Sequence, residues 1–142
     1  MPKKTVPQFL KKLVAERALG CCEYCMSQVF FSTSGFTIDH INPDGGNDIE
    51  NLALACHLCN GSKFTKTVAV DPETGELVAI FHPRNNAWKD HFCWNDDFTK
   101  VIGTTPTGRA TVVRLHINRS YLLNQRALYS LVGIHPPAHS IA

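Results

Sequence analysis

Apolar residues recur at helical spacing near the start of the chain. Charged side chains separate them, and Gly20 follows as a stop signal. The apolar positions are Phe9, Leu10, Leu13, Val14 and Leu19. This pattern predicts an amphipathic helix over residues 7–19.

The pattern then changes to short apolar runs separated by turn-forming residues. Aromatic and β-branched residues predict two strands, at 28–32 and 35–41, with a turn at Ser34-Gly35. Residues 42–48 read NPDGGND and predict a surface loop. An ordered apolar segment at 52–55 and a short helix at 57–66 follow.

The second half of the chain predicts more β-structure and a final helix. Residues 68–81 predict a hairpin around the turn DPETG, and further β-structure is expected at 91–94, 100–102 and 110–117. Apolar spacing predicts a helix over 120–131 with Ser120 as its N-cap. No internal repeat or low-complexity linker interrupts the 142 residues, so one folding unit is expected.

Composition adds only broad limits to this picture. A length of 142 residues and a hydrophobic content of 44% are ordinary for one compact domain. No apolar run reaches the roughly 20 residues of a membrane helix, and the first residues lack a signal-peptide pattern. We therefore expect a cytoplasmic protein without membrane contact. A net charge of +2 does not by itself indicate a polyanionic partner.

Two CxxC pairs predict a structural metal site. Cys22 and Cys25 form the first knuckle, and Cys56 and Cys59 form the second. Four thiolates complete the tetrahedral sphere of Zn²⁺ and leave no position for substrate, so this ion would stabilise the fold. A redox CxxC or unpaired core cysteines are the alternatives, and Cys21 could replace Cys22. Cys93 has no partner at ligand spacing and is expected to be a small buried residue.

The residues between and after the knuckles carry a further pattern, and it points to a family. Asp39-His40, Asn51, Asn60 and Lys63 follow one another around the second knuckle. Together with the cysteine pairs, this order resembles the HNH motif of the ββα-metal, or His-Me finger, nucleases. The resemblance covers about residues 20–63 and implies an α+β fold. Its ββα-metal core would hold a structural zinc on four cysteines, preceded by the amphipathic helix and followed by a β-rich segment and a C-terminal helix.

The resemblance also implies roles for the motif residues. Asp39 and Asn60 would hold one catalytic divalent metal, and their hard oxygen ligands suit Mg²⁺ or Mn²⁺. His40 would act as general base on the attacking water, since histidine exchanges protons near neutral pH. Asn51 would orient that base and hold the loop. Asp39 and His40 can serve one site only if the strand ends or bends there, because adjacent strand residues face opposite sides.

Three cationic side chains are candidates for contact with nucleic acid. Lys63 lies one helical turn after Asn60 and could support catalysis or contact a phosphate; a solvated surface lysine is the alternative. Arg84 and Arg109 follow Pro83 and Gly108, where a guanidinium at a strand or turn boundary can reach solvent. For both arginines, an ordinary packing role is slightly favoured.

These observations predict a single HNH nuclease domain over residues 1–142, with a core at about 20–66 and an extension at about 67–135. Its expected activity is metal-dependent hydrolysis of phosphodiester bonds in DNA. The expected partner is double-stranded DNA, bound by a monomer or homodimer. The rival hypothesis is a non-catalytic zinc module that binds nucleic acid or protein, and a zinc-ribbon redox or transcription protein ranks behind it.

Overall fold

A computed structural model describes residues 5–32 and 35–141 of the chain. Its first half contains a helix, a two-stranded sheet and a second helix. These elements are α1 (Gln8–Arg17), β1 (Phe36–His40), β2 (Leu52–Cys56) and α2 (His57–Lys63). The order ββα confirms the predicted core.

Helix α1 packs on the β1–β2 sheet through its apolar stripe. Val14 is fully buried, and it shares a cluster with Ile38 and Leu52. The helix ends within two residues of the predicted position, and Gly20 follows with a φ of 69°. That left-handed conformation is readily adopted only by glycine, so Gly20 turns the chain toward the first knuckle.

Strands β1 and β2 pair antiparallel, and the register runs from Phe36 opposite Cys56 to His40 opposite Leu52. Strand β2 is buried along its whole length and leads directly into α2. Cys56 is the N-cap of α2, where its Sγ accepts a hydrogen bond from the backbone N–H of Cys59 at 3.4 Å. The second knuckle is therefore the junction between sheet and helix.

The strand predicted at 28–32 is wrong. Residues Val29–Phe31 form a 3₁₀ turn, and Gln28 makes an isolated antiparallel bridge with Cys21. Phe30 is 87% exposed, so its β-forming side chain has no sheet to pack on. The turn predicted at Ser34-Gly35 lies partly outside the described residues.

The second half begins with the predicted hairpin. Its strands are β3 (Val68–Val70) and β4 (Leu77–Ala79), and the turn closes at Gly75 with a φ of 75°. Helix α3 (Trp88–His91) precedes a second antiparallel pair, β5 (Phe92–Trp94) and β6 (Val101–Gly103). Cys93 is exposed on β5, contrary to expectation, because the alternation of the strand gives the buried side to Phe92.

The β-structure predicted at 110–117 is also wrong, because a helix occupies most of that segment. Helix α4 (Pro106–Arg114) begins at Thr105, whose hydroxyl accepts a hydrogen bond from the N–H of Gly108 at 3.0 Å. Helix α5 (Ser120–Leu131) has the predicted bounds, but its N-cap is Arg119 and no side chain caps it.

One core cluster joins the two halves of the chain. It contains all four knuckle cysteines together with Tyr24 from the first half and Phe81, Trp88 and Phe92 from the second. The indole N–H of Trp88 donates to the carbonyl of Tyr24 at 2.9 Å. The extension therefore packs directly on the first knuckle. Within the described residues, no helix combines the length and apolar character needed to cross a membrane.

Candidate metal centre and active site

The four knuckle cysteines meet in one buried cluster. Their sulfur atoms all lie within 4.8 Å of one another, and the Sγ atoms of Cys25 and Cys56 are 3.7 Å apart. Burial is the largest cause that raises the pKa of the Cys22 thiol. A bound cation reverses that effect by stabilising thiolates, so this chemistry fits zinc. Cys21 lies outside the cluster; burial and then the nearby Cys25 raise the pKa of its thiol to about 11.

The two residues inside the first knuckle both have structural partners. The backbone N–H of Glu23 donates to the carbonyl of Leu54 at 2.9 Å, and the Glu23 carboxylate accepts from the N–H of Leu54 at 2.7 Å. The same carboxylate forms an ion pair with Arg84, whose side chain is only 10% exposed. Arg84 therefore does not extend into solvent toward nucleic acid as predicted, because Glu23 already binds its guanidinium.

Tyr24 connects the first knuckle to the motif carboxylate. Its hydroxyl donates to Oδ2 of Asp39 at 2.6 Å. Burial and then the charge of Asp39 raise the pKa of Tyr24, which keeps the phenol protonated and able to donate. Asp39 itself is only 2% exposed. No sequence signal indicated this contact, since a tyrosine between two cysteines has no motif role.

Lys63 is the second partner of Asp39. Its ammonium lies 3.1 Å from Oδ2 and 3.3 Å from Oδ1, and it donates to the carbonyl of Ile41 at 3.1 Å. A longer contact of 3.5 Å reaches the carbonyl of His40. Lys63 is 1% exposed, so a surface contact with phosphate is not what the structure shows. Its ammonium instead neutralises the buried carboxylate.

His40 ends β1 with its ring held by Asn47. The Nε2 atom lies 2.8 Å from Oδ1 of Asn47, whose amide in turn donates to the carbonyl of Thr5 at 2.8 Å. An amide oxygen only accepts, so this contact puts the proton of a neutral ring on Nε2 and leaves Nδ1 as the acceptor. Sequence reasoning missed Asn47 because it is one of several polar residues in a turn-rich loop.

Asp39 and His40 have different surroundings. Asp39 and His40 form the last two pairs of the β1–β2 ladder, and β1 ends at His40. Asp39 contacts Tyr24 and Lys63, whereas His40 contacts Asn47. The structure thus orients both residues but does not bring their side chains into contact.

Asn51 closes the loop after β1. Its amide donates to the carbonyls of Asn42 and Gly46 at 2.9 and 3.0 Å, and its oxygen accepts from the N–H of Asn42 at 2.9 Å. A Cβ added at Gly45 would lie 2.7 Å from the amide nitrogen of Asn51, so a larger residue there would displace this amide from its hydrogen bonds. Asn47, rather than Asn51, contacts the imidazole.

Asn60 lies on α2 directly after Cys59 and is half-buried. Within the described chain, its side-chain amide has no hydrogen-bond partner, so its oxygen is available to a ligand. The carboxylate of Asp39 and this amide form an all-oxygen donor pair of the kind that hard divalent cations prefer. The Oδ1 atom of Asp39 is the less occupied oxygen, because Tyr24 binds only Oδ2.

Arg109 has a structural partner as well. It lies on α4 and binds Asp71 in a bidentate pair, with donor distances of 2.9 and 2.8 Å, while Glu73 lies 3.2 Å away. Hydrogen bonds from Arg109 are the largest cause that lowers the pKa of the buried Asp71 carboxyl. The predicted contact with nucleic acid is not what the structure shows, since the guanidinium joins α4 to the β3–β4 hairpin.

Comparison with known proteins gives one positive result. Residues 22–66 match the model of a family described as HNH endonuclease. No curated protein and no solved structure matches the chain significantly. The matched span includes both knuckles, β1, β2 and α2. Residues 22–66 are therefore similar to the HNH endonuclease family, whose domains are generally nucleases.

Proposed function

We propose that the protein is a metal-dependent HNH endonuclease that hydrolyses phosphodiester bonds in DNA, with double-stranded DNA as its substrate. The observation that carries this proposal is the His40–Asn47 pair at the end of β1. At 2.8 Å from an amide oxygen, Nε2 of His40 is the protonated nitrogen, so Nδ1, which has no hydrogen-bond partner among the described residues, can accept a proton.

His40 acts as the general base in this proposal. A water molecule beside Nδ1 gives up a proton as its oxygen attacks phosphorus, and the imidazole becomes an imidazolium. Asn47 accepts from the opposite ring nitrogen, and its own amide is held by the carbonyl of Thr5. This second contact restricts rotation of the ring and maintains its tautomer during the step.

Asp39 and Asn60 would hold the divalent cation, Mg²⁺ or Mn²⁺. When bound, the ion would stabilise the charge that develops on the phosphate and on the departing sugar oxygen. Tyr24 and Lys63 orient the carboxylate from its other oxygen. The zinc cluster supports this arrangement, because Tyr24 lies between two of its cysteines.

We further propose that residues 1–142 act as one nuclease domain, with the HNH core at about 20–66 and the extension at about 67–135. The core cluster supports a single unit, because it joins the knuckles to Phe81, Trp88 and Phe92 of the extension. Zinc is the structural ion in this proposal.

One observation favours a second candidate, a non-catalytic zinc module that binds nucleic acid or protein. Asp39 is 2% exposed and already pairs with the ammonium of Lys63. A carboxylate in that state is a complete structural element without any divalent cation. The two candidates differ in whether phosphodiester bonds are cut.

Incubation of the purified protein with supercoiled plasmid and Mg²⁺ or Mn²⁺ tests the nuclease proposal. We expect nicked or linear products from the wild type and none from His40→Ala. His57→Ala is the matched control, because His57 is exposed on α2 and makes no contact with the proposed base. If wild type, His40→Ala and His57→Ala give the same metal-independent background, the protein is not a nuclease of this kind.

A further inference from the structure

A cavity of about 570 Å³ lies just beyond the proposed base. Ile41 and Asn42, the two residues after His40, line it, and so does Lys63. The β3–β4 hairpin contributes Ala79 to the lining. The extension and the HNH core therefore build this cavity together, next to the end of β1.

His82 is a lining residue whose ring is held by its own turn. Its Nδ1 accepts from the backbone N–H groups of Arg84 and Asn85, both at 3.2 Å. The side-chain oxygen of Asn86 accepts from the N–H of His82 at 3.1 Å. Because Nδ1 is an acceptor, the proton of the neutral ring is on Nε2. Within the described residues, that Nε2–H has no partner.

The lining combines an apolar surface with unpartnered amides. Ile41 and Ala79 belong to the apolar part, whereas Asn42 and Asn85 belong to the polar part. In the part of the chain that the structure describes, the side-chain amide nitrogen of Asn42 and the whole side-chain amide of Asn85 have no hydrogen-bond partner. Amide groups form hydrogen bonds with the edges of nucleobases, and apolar side chains pack against the flat faces of the bases.

The size and the lining of the cavity are compatible with a nucleotide. No carboxylate is present among its described lining residues, and the charge of Lys63 is already balanced by Asp39. The volume is in the range of small-molecule sites and exceeds the need of one base with its sugar. Enzymes that do chemistry on a base extrude that base from the stack into a pocket, so a pocket on a protein can hold a single unstacked nucleotide.

We propose that this cavity binds one unstacked nucleotide of the substrate strand, adjacent to the phosphate that is cut. The proposal rests on the function proposed above and extends it, because it makes an unpaired base a determinant of substrate choice. His82 and Asn85 contact the edge of the base, and Ile41 and Ala79 contact its face. A duplex with one unpaired nucleotide then binds more tightly than the same duplex fully paired.

The test uses the full chain with His40→Ala, so that no cleavage occurs. Two end-labelled duplexes are compared by fluorescence anisotropy, one with a single bulged 2-aminopurine and one fully paired. We expect the bulged duplex to bind about tenfold more tightly or better. We also expect its 2-aminopurine to become shielded from quenching by acrylamide.

Two matched pairs of variants locate the effect in the cavity. Ala79→Trp fills the cavity from an exposed strand position and abolishes the preference, whereas Leu77→Trp, on the same face of β4, keeps it. Asn85→Asp places a carboxylate at the cavity and lowers the preference. Asn124→Asp makes the same change of charge on exposed α5 and does not. The Asn85 pair decides the matter if Ala79→Trp fails to fold.

Equal affinity for the two duplexes overturns the proposal, and so does an equal effect within both matched pairs. The outcome is separable from that of the plasmid assay. If the wild type cleaves DNA but shows no preference for the bulged duplex, the nucleotide site is rejected and the nuclease function stands. If the protein prefers the bulged duplex but the wild type does not cleave DNA, the nucleotide site stands and the nuclease function is rejected.

Discussion

The buried contact between Asp39 and Lys63 shows how single residues depend on each other in this fold. Two opposite charges leave water together, and the ammonium is surrounded by carboxylate and carbonyl oxygens. The pair itself contributes little net stability, because desolvation of both ions opposes their attraction. Removal of one member, however, leaves an uncompensated charge in the interior.

We expect Lys63→Met to lower the free energy of unfolding by about 3–5 kcal/mol, because Asp39 then stays buried without a cation. Lys66→Met is the matched control, since Lys66 is exposed and should change stability by less than about 0.5 kcal/mol. Chemical denaturation followed by circular dichroism measures both. Equal midpoints for the two variants would show that Lys63 does not neutralise Asp39.

The ion pair of Asp71 and Arg109 makes the stability of the folded protein depend on pH. Arg109 lowers the pKa of Asp71 below its usual value of 3.8 in the folded protein. The contribution of the pair is therefore complete above about pH 4 and declines as the pH falls toward the folded pKa. We expect Asp71→Asn to lose stability at neutral pH and to approach the wild type near pH 2. Thermal melting from pH 2 to 7 measures this, and exposed Asp96→Asn should show no such convergence.

The sequence pattern correctly predicted sites whose residues follow one another at a short, fixed spacing in the chain. The two CxxC pairs indicated the cysteine cluster, because a two-residue gap is a property of the chain itself. It did not indicate the ion pairs of Lys63, Arg84 and Arg109, for which contact with nucleic acid was one of the interpretations. Their carboxylate partners are distant in the chain, as with Asp71 and Arg109, and a linear pattern does not contain such pairs.

At the scale of elements, α4 shows two local signals in conflict. Thr111, Val112 and Val113 favour a strand, whereas Thr105 and Pro106 provide a helix N-cap and first position. The helix forms because its start signals agree with its packing against β6 and the hairpin. By contrast, α1, the hairpin and α5 were predictable, since their periodicity and stop signals agree.

Gly108 allows α4 to approach its neighbours closely. A Cβ at this position would lie 2.0 Å from the carbonyl oxygen of His91, so we expect Gly108→Ala to cost about 3 kcal/mol or more. Gly61→Ala on α2 is the control, because nothing lies within 4 Å of its added Cβ. It should raise stability by about 0.5–1 kcal/mol. Denaturant titration of both variants checks the opposite signs.

For the molecule as a whole, the cysteine cluster is the point where both halves of the chain meet. The ββα unit could be anticipated from the motif, but the packing of the extension on the first knuckle could not. That contact depends on the indole of Trp88 reaching Tyr24, 64 residues away in the chain. A metal ion bound by the cysteine cluster would therefore affect the whole molecule and not the core alone.

We therefore expect Cys25→Ser or Cys59→Ser to abolish cooperative folding of both halves, because three thiolates no longer close the zinc sphere. His40→Ala should stay folded, and so should Cys93→Ser at an exposed cysteine outside the cluster. Zinc content by mass spectrometry, together with thermal melting, measures the result. A folded, metal-free Cys59→Ser variant would contradict a structural zinc.

The contacts of Glu23 and Tyr24 have a consequence for protein engineering. The CxxC spacing by itself constrains only the two cysteines and leaves the two residues between them open. Here Glu23 binds β2 and Arg84, and Tyr24 binds Asp39. A chimera with a foreign knuckle would retain the thiolates and lose the orientation of the carboxylate. Transplanting this module into another scaffold therefore requires the whole tetrapeptide CEYC.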